Sequence, residues 1–198
     1  MSTTTETPVH DLILGRRSTL AFSGRAVSDE DLRSLLEAAR WASSSYNEQP
    51  WHFIVATRDR PAEFERLLGC LVPGNAEWAG RAPVLMLSVA KLAFDRGGAA
   101  NRHALHDVGQ AAANLSIQAS ALGLSVHQMG GFDASKARAE FRIPEGFEPV
   151  AALAVGYPGD PEELPEALRA REQAPRTRRQ LSEFVFAATW GQTAPVAA

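Results

Sequence analysis

The stretch HALHDVGQAAANLSIQASAL at 103–122 constrains the fold more than any other. Leu105, Val108, Ala112, Leu115, Ala119 and Leu122 recur at alternations of three and four, which is the period of a helix. Ala111, Ala113, Ile117 and Ala121 make the other faces apolar as well. A helix apolar nearly all round belongs at the centre of a protein or between subunits. Its alanines permit close helix approach, and Gly123 ends it.

Around this helix the pattern mixes both kinds of element. Residues 9–14 read as a short helix. Ser28-Asp29-Glu30-Asp31 resembles a capping box, and Leu32, Leu35, Leu36 and Ala39 follow at one-face spacing, so 29–42 is predicted as an amphipathic helix. HFIVAT (52–57), PVLMLSVA (83–90), SVHQM (125–129) and VAALAVGYP (150–158) read as strands. Helices are expected over 61–72, within 74–80, and from the GGFD turn at 130–133 to about Phe141. Residues 91–102 form a loop broken by Gly97-Gly98, 159–166 a Pro-rich loop, and 182–187 a last strand. Without strict βαβ alternation the class is α+β, not a doubly wound sheet. The length of 198 residues suits a single domain over 9–191, with a mobile tail at 1–8 and a C-terminal tail at 192–198.

Charge and composition exclude several functions. A net charge of −3 offers no basic footprint for nucleic acid. Cys70 is the single cysteine, so no intrachain disulfide forms, which fits a reducing cytoplasm. MSTTTETPVH lacks the basic-then-apolar order of a secretory signal. The longest apolar run, at 82–94, is interrupted by Ser88 and Lys91 and falls short of the ~20 residues of a membrane span. A soluble cytoplasmic protein is expected.

Four groups of residues could carry chemistry. GRRSTL (15–20) places two arginines and a serine at the mouth of a loop, suited to a phosphate or another planar anion, or simply to solvent. PRTRRQL (175–181) adds Arg176, Arg178 and Arg179; if extended, Arg176 and Arg178 share a side. SSSYNEQPW (43–51) crowds neutral donors and acceptors after a helix, suited to the edge of a uracil-like ring or to an ordinary turn. In HQMGGFD (127–133), Gly130 and Gly131 could let backbone approach a ligand, or could just end a strand. His103, His106 and Asp107 share a helix face, but no second carboxylate-rich helix completes a metal set. No G-x-S-x-G, G-x-G-x-x-G after a strand, or G-x-x-x-x-G-K-[ST] occurs. Cys70 reads as a buried structural thiol.

The order of these groups is more specific than any one of them. RRS near the start, SSYNEQPW after the first long helix, a long D-V-G-Q-A-A helix ending in G-L, then HQMGGFD, AVGYP, and an arginine cluster before FVF…WG together resemble the nitroreductase family of FMN-dependent oxidoreductases. The resemblance runs from about His10 to Gly191. It implies a central, mostly antiparallel sheet flanked by helices, in an intertwined homodimer. It implies that Arg16, Arg17 and Ser18 hold the FMN phosphate, ribityl chain and ring edge, with Arg176 and Arg178 completing the phosphate site. Ser43, Ser44, Ser45 and Asn47 would reach the partner subunit's flavin, Asn75 the pyrimidine edge, and the backbone of Gln128, Met129, Gly130 and Gly131 would lie along the ring.

Three departures stand out against the family pattern. Ser43 replaces a common proline. Leu20 stands where members usually carry Arg or Lys, and a nearby cation would favour an anionic reduced flavin. The helical excursion over the flavin is cut down to 91–102. The resemblance implies hydride transfer from NAD(P)H through FMN to a nitroaromatic, quinone or enone, in ping-pong fashion, with no catalytic side chain and no metal. Tyr46, Phe94 and His103 are candidates for the substrate-pocket wall. Leu20 and the short loop keep open a flavin enzyme with another reaction (reductive dehalogenation or nicotinamide-independent oxidation), and a non-catalytic flavin-binding dimer is the third reading.

Overall fold

The computed structural model describes residues 7–197. Residues 1–6 of the expected N-terminal tail, and Ala198, lie outside that range. Four strands form one antiparallel sheet: β1 (Trp51–Thr57), β2 (Val84–Lys91), β3 (Ser125–Met129) and β4 (Phe147–Gly156), in the order β1-β2-β4-β3. β2 and β4 are central. Their side chains alternate between two apolar layers, as the period of two in a strand requires. Leu85, Leu87 and Val89 with Ala152 and Ala154 face one layer. Val84 and Met86 with Leu153 and Val155 face the other.

Helices cover both faces, which is how a sheet with two apolar faces is buried. On the first face lie α3 (Pro61–Leu68), α4 (Pro73–Ala79), α6 (Ala134–Phe141) and α7 (Glu166–Gln173), contributing Phe64, Leu67, Trp78, Ala137 and Leu168. On the second lie α2 (Asp29–Arg40) and α5 (Ala104–Ala121), contributing Leu32, Leu35, Ala111, Leu115 and Ala119. The short α1 (Asp11–Gly15) packs on α5. Ser28 caps α2 by accepting from the Asp31 N–H at 3.0 Å. Asp31 Oδ2 accepts instead from the Tyr157 hydroxyl.

The α+β class and the antiparallel sheet agree with the sequence reading, and four differences are informative. First, α5 is buried on one face only: Ala104, Val108, Ala111, Leu115 and Ala119 are inside, while Leu105 is 52% exposed. Second, α7 went unread in the sequence, because Glu166–Gln173 carries just one buried side chain, Leu168. Third, 182–187 is not a strand. It contains a 3₁₀ turn at Leu181–Glu183 and a single bridge, Phe186 to Thr193. Ala188 at φ 64° turns the chain back, so 185–187 bonds to 192–194 and to no sheet strand. Fourth, and as part of that same turn, the described part of the expected C-terminal tail folds back with Ala194 buried. No described helix is long and apolar enough to cross a membrane.

Candidate functional site

The two arginine-bearing segments, 160 positions apart, meet at the β3 edge of the sheet. A cavity of about 310 Å³ is lined by Arg16, Arg17, Ser18, Leu20, His127, Arg171, Glu172, Arg176 and Arg178, with Ala174 and Pro175. The chain reaches this arrangement through two pairings. Phe22 bridges to Pro158 beyond the end of β4, which ties the 16–20 loop to the sheet. Arg176 then donates from Nη1 to the Arg16 carbonyl (2.8 Å) and from Nη2 to the Leu14 carbonyl (2.6 Å). Arg176 thus lines the cavity while bracing the first arginine loop from beneath.

The electrostatics are those of an anion site. Arg16 Nη1 bonds Ser18 Oγ at 3.2 Å. Burial, and then the like charges of Arg176 and Arg178, hold the Arg16 guanidinium below its ordinary pKa. Crowded like charges that repel one another are relieved by a bound anion, and a planar fork suits phosphate oxygens. The donor set therefore fits a phosphate monoester. The cavity's volume of about 310 Å³ sits at the small end for ligand sites, about 300–1,000 Å³, and is room enough for a phosphate group and the atoms beside it.

HQMGGFD begins at this cavity, where His127 lines the wall. His127 Nδ1 donates to the Thr19 carbonyl at 2.9 Å, since a carbonyl can only accept. Its ring lies 4.4 Å from that of Trp78. Burial, followed by Arg171 and Arg16, pulls the His127 pKa below its usual value. The two glycines differ. Gly130 is exposed, with nothing near a would-be Cβ. A Cβ on Gly131 would lie 2.6 Å from Asn75 Nδ2 and 3.0 Å from Val72 Cγ2, so this glycine lets α4 dock. Asn75 Nδ2 donates to the Gly131 carbonyl at 3.0 Å, and Gln128 Nε2 to Ser116 Oγ at 3.3 Å. Met129 is buried in the core and pairs with Ala152 of β4.

The polar loop sits elsewhere. Residues 43–50 lead into β1, at the opposite edge of the sheet from β3. Three interstrand spacings separate those edges, about 14 Å. Within the chain, Ser43, Ser44, Ser45 and Asn47 therefore do not join the arginine cavity. The loop is firmly held. Ser43 Oγ bonds Gln110 Oε1 (2.6 Å), Ser45 N–H donates to Asp107 Oδ2 (3.0 Å), and Gln49 N–H donates to Ser44 Oγ (3.0 Å). Tyr46, Asn47 and Gln49 all take positive φ, which explains an Asn-containing stretch in chemical terms. Asp107, weighed in sequence as a metal ligand, is a loop anchor at the N-terminal turn of α5.

Tyr46, 92% exposed, meets Phe94 edge-to-face at 5.9 Å. The 91–102 loop closes on itself through Ala93 and Ala100, and Asp95 N–H donates to Glu48 Oε1. It therefore covers the polar loop and not the arginine cavity. His103 precedes α5, its N–H bonded to Asn101 Oδ1 at 3.0 Å. Leu20, 3% exposed, is core against the cavity floor. Cys70 is buried, its thiol bonded to the Arg66 carbonyl and its pKa raised by burial.

Sequence reasoning missed Arg171 and Glu172, which belong to the unread α7, and left His127 out of the site. His127 alone had a signal, its place in the HQMGGFD run.

A family model described as "Nitroreductase family" matches residues 13–72 and 63–157. A Mycolicibacterium smegmatis protein, "Uncharacterized 15.4 kDa protein in ask 5'region", is 38% identical over 65% of this chain and 84% of its own. An Archaeoglobus fulgidus protein named "Putative NADH dehydrogenase/NAD(P)H nitroreductase" is 30% identical over 79% of this chain and 88% of its own. Among solved structures, one described as an oxidoreductase containing FMN superposes with TM-score 0.90 at 32% identity, covering 98% of this chain and 100% of that one.

Proposed function

This chain belongs to the nitroreductase family, and from that premise we propose an FMN-dependent NAD(P)H oxidoreductase whose phosphate site is the arginine cavity at the β3 edge. The observation that carries this reading is the convergence of Arg16, Arg17, Arg171, Arg176 and Arg178 on one cavity whose wall includes His127 of β3. FMN, once bound, would supply the redox chemistry needed to pass a hydride from a reduced nicotinamide to a nitroaromatic, quinone or enone. The chain's own residues bind and orient. Arg16, Arg17 and Arg178 with Ser18 receive the phosphate, and Arg176 holds the Arg16 backbone in place. The backbone of Gln128, Met129, Gly130 and Gly131 flanks the ring. Asn75, whose amide nitrogen is engaged by Gly131, has its oxygen left for the pyrimidine edge.

A ring reaching beyond the phosphate cavity needs a second wall. We assign it to a second copy of this chain, whose Ser43, Ser44, Ser45 and Asn47 would complete the site with Tyr46, Phe94 and His103 beside it. Supporting this are the half-uncovered α5 with Leu105 exposed, Ile13 exposed on the adjoining α1, and Trp41 at the start of the polar stretch, 75% exposed. Residues 9–191 act as one flavin-binding domain.

The test is anaerobic titration of purified, yellow protein with NADH and with NADPH, then exposure to an acceptor panel. Bleaching by a nicotinamide and recovery with an acceptor is expected. A folded preparation that stays colourless and refuses FMN refutes the reading, and one that binds FMN but is not bleached refutes the nicotinamide step. Sedimentation equilibrium that returns a monomer refutes the shared site.

A further inference from the structure

The loop that carries Arg16 and Arg17 is held by one residue that has no role so far. Glu172 stands in the last turn of α7. Its Oε1 accepts from Thr19 Oγ1 at 2.8 Å and its Oε2 from the Leu20 N–H at 2.6 Å. Its main-chain oxygen accepts from Arg17 Nη2 at 2.7 Å. One residue thus grips three of the four residues 17–20. That loop has no helix or strand of its own, and Thr19 and Leu20 are buried, so their donors need partners inside the protein. The opposite side of the loop is fixed by His127 on the Thr19 carbonyl and Arg176 on the Arg16 carbonyl. Of these three braces only Glu172 is anionic, and it borders the cavity itself.

We propose that Glu172 is a positioning residue for phosphate recognition, fixing the 16–20 loop so that Arg16, Arg17 and Ser18 present their donors to the ligand's phosphate. The inference deepens the flavin reading above and rests on it. Three roles for this carboxylate predict different results. A mere counter-charge opposes an anionic ligand, so neutralising it would tighten phosphate binding. A general fold stabiliser would affect phosphorylated and unphosphorylated ligands alike. A positioning residue, once neutralised, weakens the phosphorylated ligand selectively, although the cavity has become more positive.

The experiment titrates the full-length protein, stripped of flavin, with FMN and with riboflavin, in wild type, Glu172→Gln and Thr19→Val. Glu172→Gln keeps the shape but turns one acceptor into a donor facing the Leu20 or Thr19 donor. It should bind FMN about tenfold more weakly, the worth of one hydrogen bond to a charged group, while riboflavin affinity stays within about twofold. Thr19→Val keeps the charge and removes one of the Glu172 grips, together with the acceptor of the Ala21 N–H in the same loop, and should show the same selective loss at about threefold. Unchanged or tighter FMN binding by Glu172→Gln, or equal loss of FMN and riboflavin, overturns the proposal. If Glu172→Gln does not fold, Thr19→Val decides: an unchanged FMN-to-riboflavin affinity ratio overturns it. If wild type binds no flavin, the flavin reading fails separately, and inorganic phosphate becomes the probe. Glu172→Gln must then weaken phosphate binding; unchanged or tighter phosphate, or no phosphate binding by wild type, overturns the positioning role.

Discussion

Asp107→Ala tests whether the polar loop is held in shape by a single buried carboxylate. Asp107 is 2% exposed, lies in the first turn of α5, and accepts the Ser45 N–H at 3.0 Å. Truncation leaves that part-buried N–H without its acceptor, a cost of about 1–3 kcal/mol. It also removes a negative charge from the positive end of a helix, about 0.3–1 kcal/mol. Relief of the carboxylate's own desolvation works the other way. The net expectation is a loss of about 2 kcal/mol, or about 4–8 °C in Tm for a chain of this size. The loop has a reason to spring open, because Tyr46, Asn47 and Gln49 sit at φ 54°, 56° and 51°, each storing on the order of 1 kcal/mol. Urea unfolding gives the global loss. Native-state hydrogen exchange gives the local one, at the Asn47 and Glu48 amides that bond Ser44 and Ser45 carbonyls. A variant within 0.5 kcal/mol of wild type whose Asn47 and Glu48 amides exchange no faster would refute the anchoring role.

Other perturbations separate the parts of the site. Arg16→Ala and Arg178→Ala should each weaken FMN binding about tenfold or more by fluorescence titration and leave riboflavin little changed; wild-type FMN affinity in both would remove the phosphate assignment. Gly159→Ala should cost about 3 kcal/mol in chemical unfolding, since a Cβ there would meet the Phe22 carbonyl carbon at 2.7 Å and Ser23 N at 2.8 Å. A neutral result would mean that the strap tying the arginine loop to the sheet is looser than it looks. His127 carries a pH signature. Its folded pKa lies below the ordinary 6.5, chiefly through burial, so the unfolded chain takes up the proton first. Stability from this group is therefore full above about pH 6.5 and is lost as pH falls toward the folded pKa. His127→Gln should flatten that part of the stability–pH curve, and an unaltered slope between pH 7.5 and 5.5 would count against it.

Much of the fold is legible in local pattern. The alternation in VLMLSVAK, with apolar groups on both sides, marks a strand covered on two faces, and β2 is one. Ser28 ahead of Leu32 and Leu35 marks where α2 begins and which face it buries. The failures have physical causes. Helix α7 is short and mostly polar, with Leu168 its single buried side chain, so neither period nor composition announces it. Phe184 and Phe186 suggest a strand by propensity, but a strand forms only where a neighbour offers its backbone. Here the chain turns back on itself instead.

The site divides the same way. Which residues could bind an anion or a flat polar ring was written in the sequence, because guanidinium, hydroxyl and amide groups carry that chemistry wherever they stand. Their order along the chain was enough to point to a family. Which of them meet was decided only in three dimensions: the sheet order carries 43–50 to one edge and the arginine loops to the other, and no spacing in the chain reveals it. The division of labour among like residues also comes from tertiary contacts. Arg176 braces backbone carbonyls while Arg16 lines the cavity, and Glu172 grips the loop from a helix that the sequence did not disclose. Chemical type is local to a residue, whereas its hydrogen-bond partners are supplied by segments far away in the chain.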